Sequence, residues 1–390
     1  MLMMMLIASV TSAAVYYDLE DQLEISESGT SLGISYANID SLDYTRVYLA
    51  PNFPLGPVKA GLDINYYIPM GDHDTPSELN KVVLRHLSYD YEDKHGFQWG
   101  HLRNITFGQG LLVDAFDSGG GGSSEFTEDK AGILAYATLY ETKISVLNTN
   151  EKVQGARIER PVVELAGVPL VVGATYFKDD DGINDSSTGT LVSRDAVESY
   201  AADVSYPIGG NAATLFVEHA EIQDEGNGTS VGLRGNLLKW LNYRAEFRSL
   251  GEGYAPSYFN NVYQSTSFDF DTDALQEDTS GFLVAAGTQF FGGKFRAGMQ
   301  YENYEDINLF SSAVGWSNIA RTSGVLNITK PFSNVDDDRL VAVADVYMVN
   351  PSQPYDVLMR FKRVYESNGD YEQSYSMGVR LKPSRLLPFF

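Results

Sequence analysis

Cysteine is absent from the 390-residue chain. Its absence excludes disulfide bonds, thiolate metal sites and cysteine nucleophiles. After the N-terminus, no apolar run approaches the length that a membrane-spanning helix requires. Basic residues are scarce as well, because 28 Lys and Arg stand against 52 Asp and Glu, giving a formal net charge of −24. The chain therefore lacks the positive surface that nucleic-acid binding requires, and we expect no nucleic acid among its partners.

The first residues have the pattern of an export signal. Leu2–Val10 is an apolar core, and the small residues Ser12 and Ala14 follow at the spacing of a cleavage site. This predicts a signal peptide over residues 1–14 and a mature chain over residues 15–390. No Lys or Arg precedes the apolar core, which departs from the usual signal, so a buried N-terminal strand or helix is the alternative.

Residues 58–68 show the strongest pattern in the chain. Apolar side chains occupy every second position from Val58 to Ile68, and Lys59, Gly61 and Asp63 are among those between them. A strand of roughly ten residues with one apolar face matches a tilted crossing of a bilayer. The same alternation recurs at 199–206, 242–248, 340–348 and 371–382. A single such strand also suits a soluble sandwich, but a long series behind an export signal favours a membrane barrel.

The links between these segments alternate in length. Phe282–Phe290 and Phe295–Tyr301 form a hairpin around Gly292-Gly293, and further short links are predicted at 207–211 and 236–241. Long links are predicted at 106–130, 178–198 and 251–280. The sequence therefore predicts an all-β fold: a single antiparallel transmembrane β-barrel of about 18–20 strands, with long outer loops and short periplasmic turns. The predicted location is the cell outer membrane.

Two stretches resemble an uncharacterised family of bacterial outer-membrane β-barrel (porin-like) proteins. The first is Leu79–Phe116, with the run GHLRNITFGQGLLV from Gly100 to Val113. The second is Phe247–Tyr263, with the run YAPSYFNNVY from Tyr254. Similar strand spacing extends the resemblance over most of the predicted mature chain. The resemblance implies fold and location, and its motifs carry no known chemistry.

Alternation also places charged side chains on the inner face of the predicted barrel. A charge facing the middle of the bilayer would cost about 2–4 kcal/mol, so charged strand residues should face the lumen. The alternative is that the basic residues form structural ion pairs with Glu246, Glu302 or Asp345. The predicted lumen-wall residues are Arg157, Arg244, Glu246, Arg248, Arg296, Arg360 and Arg380.

Evidence for a metal or catalytic site is weak. Asp179, Asp181 and Asp185 are closely spaced oxygen ligands around Gly182, as in many calcium loops, but they lack the distal Glu of an EF-hand. They are a weak candidate metal site, and a solvated acidic loop is the alternative. The five His residues lie in no metal-binding or catalytic motif. We therefore expect no enzyme activity and no cofactor.

These observations predict a channel for passive diffusion of small hydrophilic solutes or ions. The expected partners are outer-membrane lipid and lipopolysaccharide, the barrel-assembly machinery and the solutes themselves, while homo-oligomer formation stays open. Either Gly119–Gly122 or the 251–280 loop is a candidate to fold inward as a constriction. The alternative function is a structural or adhesive barrel whose loops bind lipopolysaccharide or surface partners.

Overall fold

The structure is a computed structural model of the chain. It describes residues 31–381, except for 40–41, 73, 75–79, 93, 119–130, 181–195, 210–211, 238–239, 262, 264–273, 306, 331–340, 350–354 and 366–370. The predicted signal peptide lies outside the described residues. No helix in the described part has both the length and the apolar character needed to cross a membrane.

The described residues fold almost entirely into β-strands. Long alternating segments rich in Val, Ile, Tyr, Phe and Thr favour this conformation because their side chains pack well on a pleated surface. The strands are β1 (Ser31–Ile39), β2 (Leu42–Ala50), β3 (Asn52–Leu55), β4 (Val58–Pro69), β5 (Lys81–Tyr91), β6 (His95–Gly100), β7 (Ile105–Phe107), β8 (Val113–Phe116), β9 (Gly132–Leu139), β10 (Thr142–Thr149), β11 (Val153–Leu165), β12 (Val168–Asp179), β13 (Val197–Ile208), β14 (Ala213–Ile222), β15 (Gly226–Leu237), β16 (Leu241–Leu250), β17 (Thr279–Phe290), β18 (Phe295–Tyr304), β19 (Ile307–Ile319), β20 (Thr322–Lys330), β21 (Val341–Val349), β22 (Tyr355–Tyr365) and β23 (Tyr371–Leu381).

The strands pair antiparallel in chain order and close into a ring. β1 pairs with β2 on one side and with β23 on the other, where Leu32 opposes Leu381. The short hairpin β7–β8 is a separate sheet, so β6 pairs directly with β9. Closure removes both edges of the sheet and satisfies its backbone hydrogen bonds internally. The predicted all-β antiparallel barrel is confirmed.

The strand count follows from one interruption at Pro51. β2 and β3 flank this residue, and both pair with β4, so together they form one crossing. Among the described residues the sheet has 21 strands, and this shared crossing leaves a ring of 20. The ring lies at the upper limit of the predicted 18–20 strands. A ring of this size encloses more space than its own side chains can fill.

The two ends of the ring differ in the length of their links. The described strand ends that border the long links 70–80, 101–131, 180–196, 251–278 and 331–340 all lie at one end of the ring, here called the long-loop end. The other end, the short-turn end, holds links such as 56–57, 92–94, 140–141 and 291–294. β1 begins and β23 finishes at the short-turn end. This asymmetry matches the predicted long loops and short turns.

The predicted hairpin at 282–302 is present, with a four-residue turn. Phe290 opposes Phe295, and residues 291–294 connect them. Phe291, Gly292 and Gly293 all have positive φ, at 55°, 68° and 84°. The Gly pair therefore supplies the left-handed backbone as predicted, and the turn extends that conformation to Phe291.

The two faces of the ring have opposite chemistry. In β14, Val217 is 44% exposed and its neighbour Glu218 is fully buried, and in β16 Phe247 is 59% exposed beside fully buried Arg248. Apolar side chains therefore cover the outer face. The buried face is the inner one, because hairpin residues such as Leu111, which are fully buried, contact it. A surface segment on the convex side of a ring would keep part of its area in solvent.

Candidate functional site

A row of charged and polar side chains crosses the inner face from β13 to β16. Asp203 opposes Glu218, Glu218 opposes Ser230, and Ser230 opposes Arg248. Directly opposed residues on neighbouring strands point to the same side of a sheet. The row thus brings together side chains that are far apart in the sequence, since Asp203 and Arg248 are separated by 45 positions.

These side chains belong to a larger charge network, defined here as Asp114, Arg157, Asp203, Glu218, Arg244, Glu246, Arg248 and Glu302. Arg157 Nη1 donates to Asp203 Oδ2 at 2.6 Å. Arg248 Nε and Nη1 donate to Glu246 Oε2 at 2.8 Å and to Glu302 Oε2 at 2.9 Å. Arg244 donates to Glu246 as well. Buried charges require such partners, because the loss of hydration would otherwise be uncompensated.

The turn of the β7–β8 hairpin, residues 108–111, is clamped by this network. Glu218 Oε2 accepts the Leu111 N–H at 2.7 Å. From the other side, Arg244 Nη2 donates to the Gln109 carbonyl oxygen at 2.6 Å, and Nη1 donates to Asp114 Oδ2 at 2.9 Å. The Gln109 side chain donates to Asp203 Oδ1 at 2.8 Å. The Glu218 carboxylate, which accepts from a backbone N–H, and the Arg244 guanidinium, which donates to a backbone carbonyl, together hold the turn against the wall.

Gly108 makes this close approach possible, and we expect Gly108→Ala to displace the turn. Its φ of 74° is in the left-handed region, and an added Cβ would overlap Glu218 Oε1. Strain of this kind costs roughly 1–3 kcal/mol. Faster proteolytic cleavage within residues 101–118 of the folded barrel would report the displacement.

Gly56→Ala is the matched control for this substitution. Gly56 has a similar φ of 68°, but no heavy atom lies within 4 Å of an added Cβ. It also lies at the short-turn end, away from the hairpin. Cleavage of 101–118 should therefore stay at the wild-type rate, and equal rates in the two variants would contradict the clamp.

The segment 251–263 packs against the hairpin inside the ring. Phe259 forms an isolated parallel bridge with Val113, and the Ser257 N–H donates to the Leu111 carbonyl at 2.7 Å. The Tyr254 hydroxyl donates to the same carbonyl at 3.0 Å. The two stretches that carry the family resemblance therefore contact each other. Gly119–Gly122 lies outside the described residues, and the inward segments that the structure describes are 101–118 and 251–263.

An apolar core holds both segments to the wall. The ring of Phe177 on β12 packs against Phe107, Phe116 and Phe259, with centroid distances of 5.6, 6.0 and 4.7 Å. Wall residues such as Leu250 and Ile222 join the same cluster and are almost fully buried. Apolar burial and the charge network therefore act together to fix the inward segments.

Burial changes the acid–base properties of two residues in these segments. Loss of hydration raises the pKa of Asp114 above its ordinary value, against the opposing effect of Arg244 and Arg248. Burial likewise raises the pKa of the Tyr254 hydroxyl, which therefore stays protonated and continues to donate to Leu111.

The structure describes five of the seven predicted lumen-wall residues. Arg157, Arg244, Glu246 and Arg248 are buried in the charge network. Arg296 is partly exposed and donates to the Gly293 carbonyl at 3.2 Å, near the short-turn end. Arg360 and Arg380 have described backbone positions, opposite Asp345 and Asp356, but their side chains lie outside the described residues.

The predicted metal residues are only partly described. Asp179 is buried at the end of β12, and its Oδ2 accepts the Tyr263 hydroxyl at 2.7 Å. Asp181 and Asp185 lie outside the described residues. In the part of the chain that the structure covers, no group of three or more His, Asp or Glu side chains is placed to hold a metal ion.

Four residues that hold the hairpin turn to the wall were not among the predicted lumen-wall residues. Asp203 and Glu218 occupy inner positions of alternating strands, so the period-two pattern that identified Arg244 also contained them. Gln109 lies in the turn of the hairpin and Asp114 lies on its short strand β8, where no periodic signal marks either residue. Their partners Asp203 and Arg244 lie 94 and 130 positions away along the chain.

Several solved structures match this chain over most of its length. OccK3 (OpdO) of Pseudomonas aeruginosa is 12% identical, with 90% of this chain and 94% of that chain covered and a TM-score of 0.43. OccAB3 of Acinetobacter baumannii is 10% identical, with 90% and 97% covered and a TM-score of 0.36. OccK2 (OpdF) of P. aeruginosa, in complex with glucuronate, is 10% identical, with 90% and 96% covered and a TM-score of 0.38. At these identities and TM-scores the matches carry no argument about this chain. Neither protein-family models nor curated proteins give a match.

Proposed function

We propose that the protein is an outer-membrane β-barrel that acts as a channel for passive diffusion of small hydrophilic solutes or ions. The observation that carries the proposal is the combination of a closed 20-strand ring with an exposed apolar outer face and a charged inner face. Only a closed ladder satisfies the backbone of strands that cross hydrocarbon. The proposal includes no cofactor and no catalytic step.

The contrast between the faces supports a membrane location. Val217 and Phe247 belong to an apolar outer surface that extends over many strands, and exposed apolar patches of this extent mark contact with a membrane or partner. Lipid on this face leaves the polar inner face to water. The proposed partners are outer-membrane lipid and lipopolysaccharide around the ring, the barrel-assembly machinery during insertion, and solutes inside.

The hairpin and the 251–263 segment would narrow the lumen. They enter from the long-loop end, and their contacts with the charge network hold them near the wall. A constriction fixed by buried ion pairs limits the size of solutes without a moving part.

Planar-bilayer recording tests the channel directly. We expect the purified barrel to give discrete conductance steps, with a reversal potential in a salt gradient that reports ion preference. A folded barrel without conductance would overturn the proposal and leave the fold intact.

The dry core inside the ring supports one alternative, a structural or adhesive barrel. Phe177, Leu250 and their neighbours show that part of the interior is filled by packed side chains. A barrel closed by such packing would give no conductance steps and would retain binding to lipopolysaccharide vesicles. The same recordings therefore separate the two functions.

A further inference from the structure

The apolar core inside the ring occupies only one side of it. Its wall residues come from the arc of strands β9–β19, including Leu147, Phe177, Ile222 and Leu309. Among the inner side chains that the structure describes on β2, β4, β5 and β6, none belongs to this cluster. The interior is therefore filled asymmetrically, with the inward segments packed against β9–β19.

Several polar inner residues on the opposite arc are more accessible, whereas Tyr44 and Tyr67 on the same arc are buried. Arg46 on β2 and Asn65 on β4 are partly exposed, as are Ser88 on β5 and Gln98 on β6. Arg46 donates to Asn65 Oδ1 at 2.9 and 2.7 Å and lies 5.7 Å from the Tyr67 ring centroid. These contacts hold the guanidinium group in one orientation.

Polar inner residues of the filled arc are much less accessible. Ser199, Glu218, Ser230 and Arg248 are all fully buried. Ser199 Oγ donates to the Phe177 carbonyl on the neighbouring strand, Glu218 accepts from the hairpin, and Arg248 donates to Glu246 and Glu302 on the wall. Solute cannot contact side chains that are sealed beneath packed protein.

We propose that the solute path runs along one arc of the wall, formed by β1–β6, and that charged side chains of this arc determine selectivity. This inference rests on the proposed channel function, and it specifies which part of the lumen the solute passes through. The buried arginines Arg157, Arg244 and Arg248 then have a structural role, because their charges are paired and covered. Arg46 is a basic residue of the open arc, and its guanidinium group contacts Asn65 directly.

The absence of cysteine allows a direct test by thiol modification. Each introduced cysteine is the only thiol in the chain. Asn65→Cys and Ser88→Cys probe the open arc, and Ser230→Cys probes the filled arc. Asn65 and Ser230 are each the fifth residue from the long-loop end of their strands, so they form a depth-matched pair.

Charged methanethiosulfonate reagents are added to single channels and, separately, to barrels in lipid vesicles that are then analysed by mass. We expect Asn65→Cys and Ser88→Cys to be modified, with a loss of conductance and opposite shifts of the reversal potential for cationic and anionic reagents. Ser230→Cys should stay unmodified until the protein is denatured, when its thiol should react fully.

The outcomes separate the inference from the proposed function. Modification of Ser230→Cys in the folded barrel, or protection of both open-arc cysteines, would overturn the one-sided path. A wild-type barrel without conductance would overturn the channel function, while the mass analysis would still show which arc is accessible to water.

Discussion

We expect replacement of residues 102–130 by the dipeptide Asn-Gly to raise the single-channel conductance severalfold. The design uses the ladder itself, because Gly100 opposes Gly132 and a two-residue turn can join β6 directly to β9 after His101 and before Ala131. Asn-Gly favours the hairpin turn that matches the twist of the flanking strands. The variant removes the whole β7–β8 hairpin, and with it the contacts to Glu218 and Arg244.

Conductance should rise because the hairpin fills interior volume that water would otherwise occupy. Recording in planar bilayers measures the change, and heat-modifiable mobility on gels verifies that the ring is closed. The closed ladder does not depend on the hairpin, since β6 pairs with β9 without it. Unchanged conductance in a folded variant would show that the hairpin does not narrow the solute path.

Arg248→Ala is expected to reduce the free energy of unfolding by about 3–5 kcal/mol, the usual cost of removing one partner from a buried ion pair. Arg248 is fully buried and donates to Glu246, Glu302 and the Tyr304 hydroxyl. Without it, Glu302 loses its ion pair with Arg248, and Glu246 keeps its ion pair with Arg244. Unfolding by urea in lipid vesicles measures the loss.

Arg296→Ala is the matched control for Arg248→Ala. Arg296 is also an inner-face arginine, but it is partly exposed and donates to a backbone carbonyl at the Phe291–Lys294 turn. Its removal should change the free energy of unfolding by less than about 1 kcal/mol, as for most accessible sites. Similar losses in both variants would mean that burial of the charge network adds nothing to its stability.

The architecture could be predicted because barrel strands repeat one pattern, the alternation of apolar and polar side chains. Val58 to Ile68 shows the pattern most clearly, and the strands at 199–206 and 242–248 repeat it. The turn at 291–294 could also be predicted, because Gly292 and Gly293 readily adopt the positive φ that a tight hairpin turn requires. The strand count could be set only to within two, because β1, β2 and β3 have short or interrupted apolar patterns and Pro51 divides one crossing.

The inward segments were only partly predictable. Alternation placed Arg244 and Arg248 on one face, but it could not show that they hold a loop. That loop is positioned by Gln109, Leu111 and Asp114, whose partners lie on β13, β14 and β16. Contacts across about a hundred residues leave no local periodic signal, and only the closed ring brings these residues together.

The pairing of β1 with β23 makes a seam whose two sides come from distant parts of the chain. Leu32 meets Leu381, and six residue pairs from Leu32 to Ala37 hold this seam together. A chain that lacks residues 371–381 would present two unpaired strand edges, open to association with other chains. Closure of the ring therefore requires that β1 stay unpaired on one side until β23 reaches it.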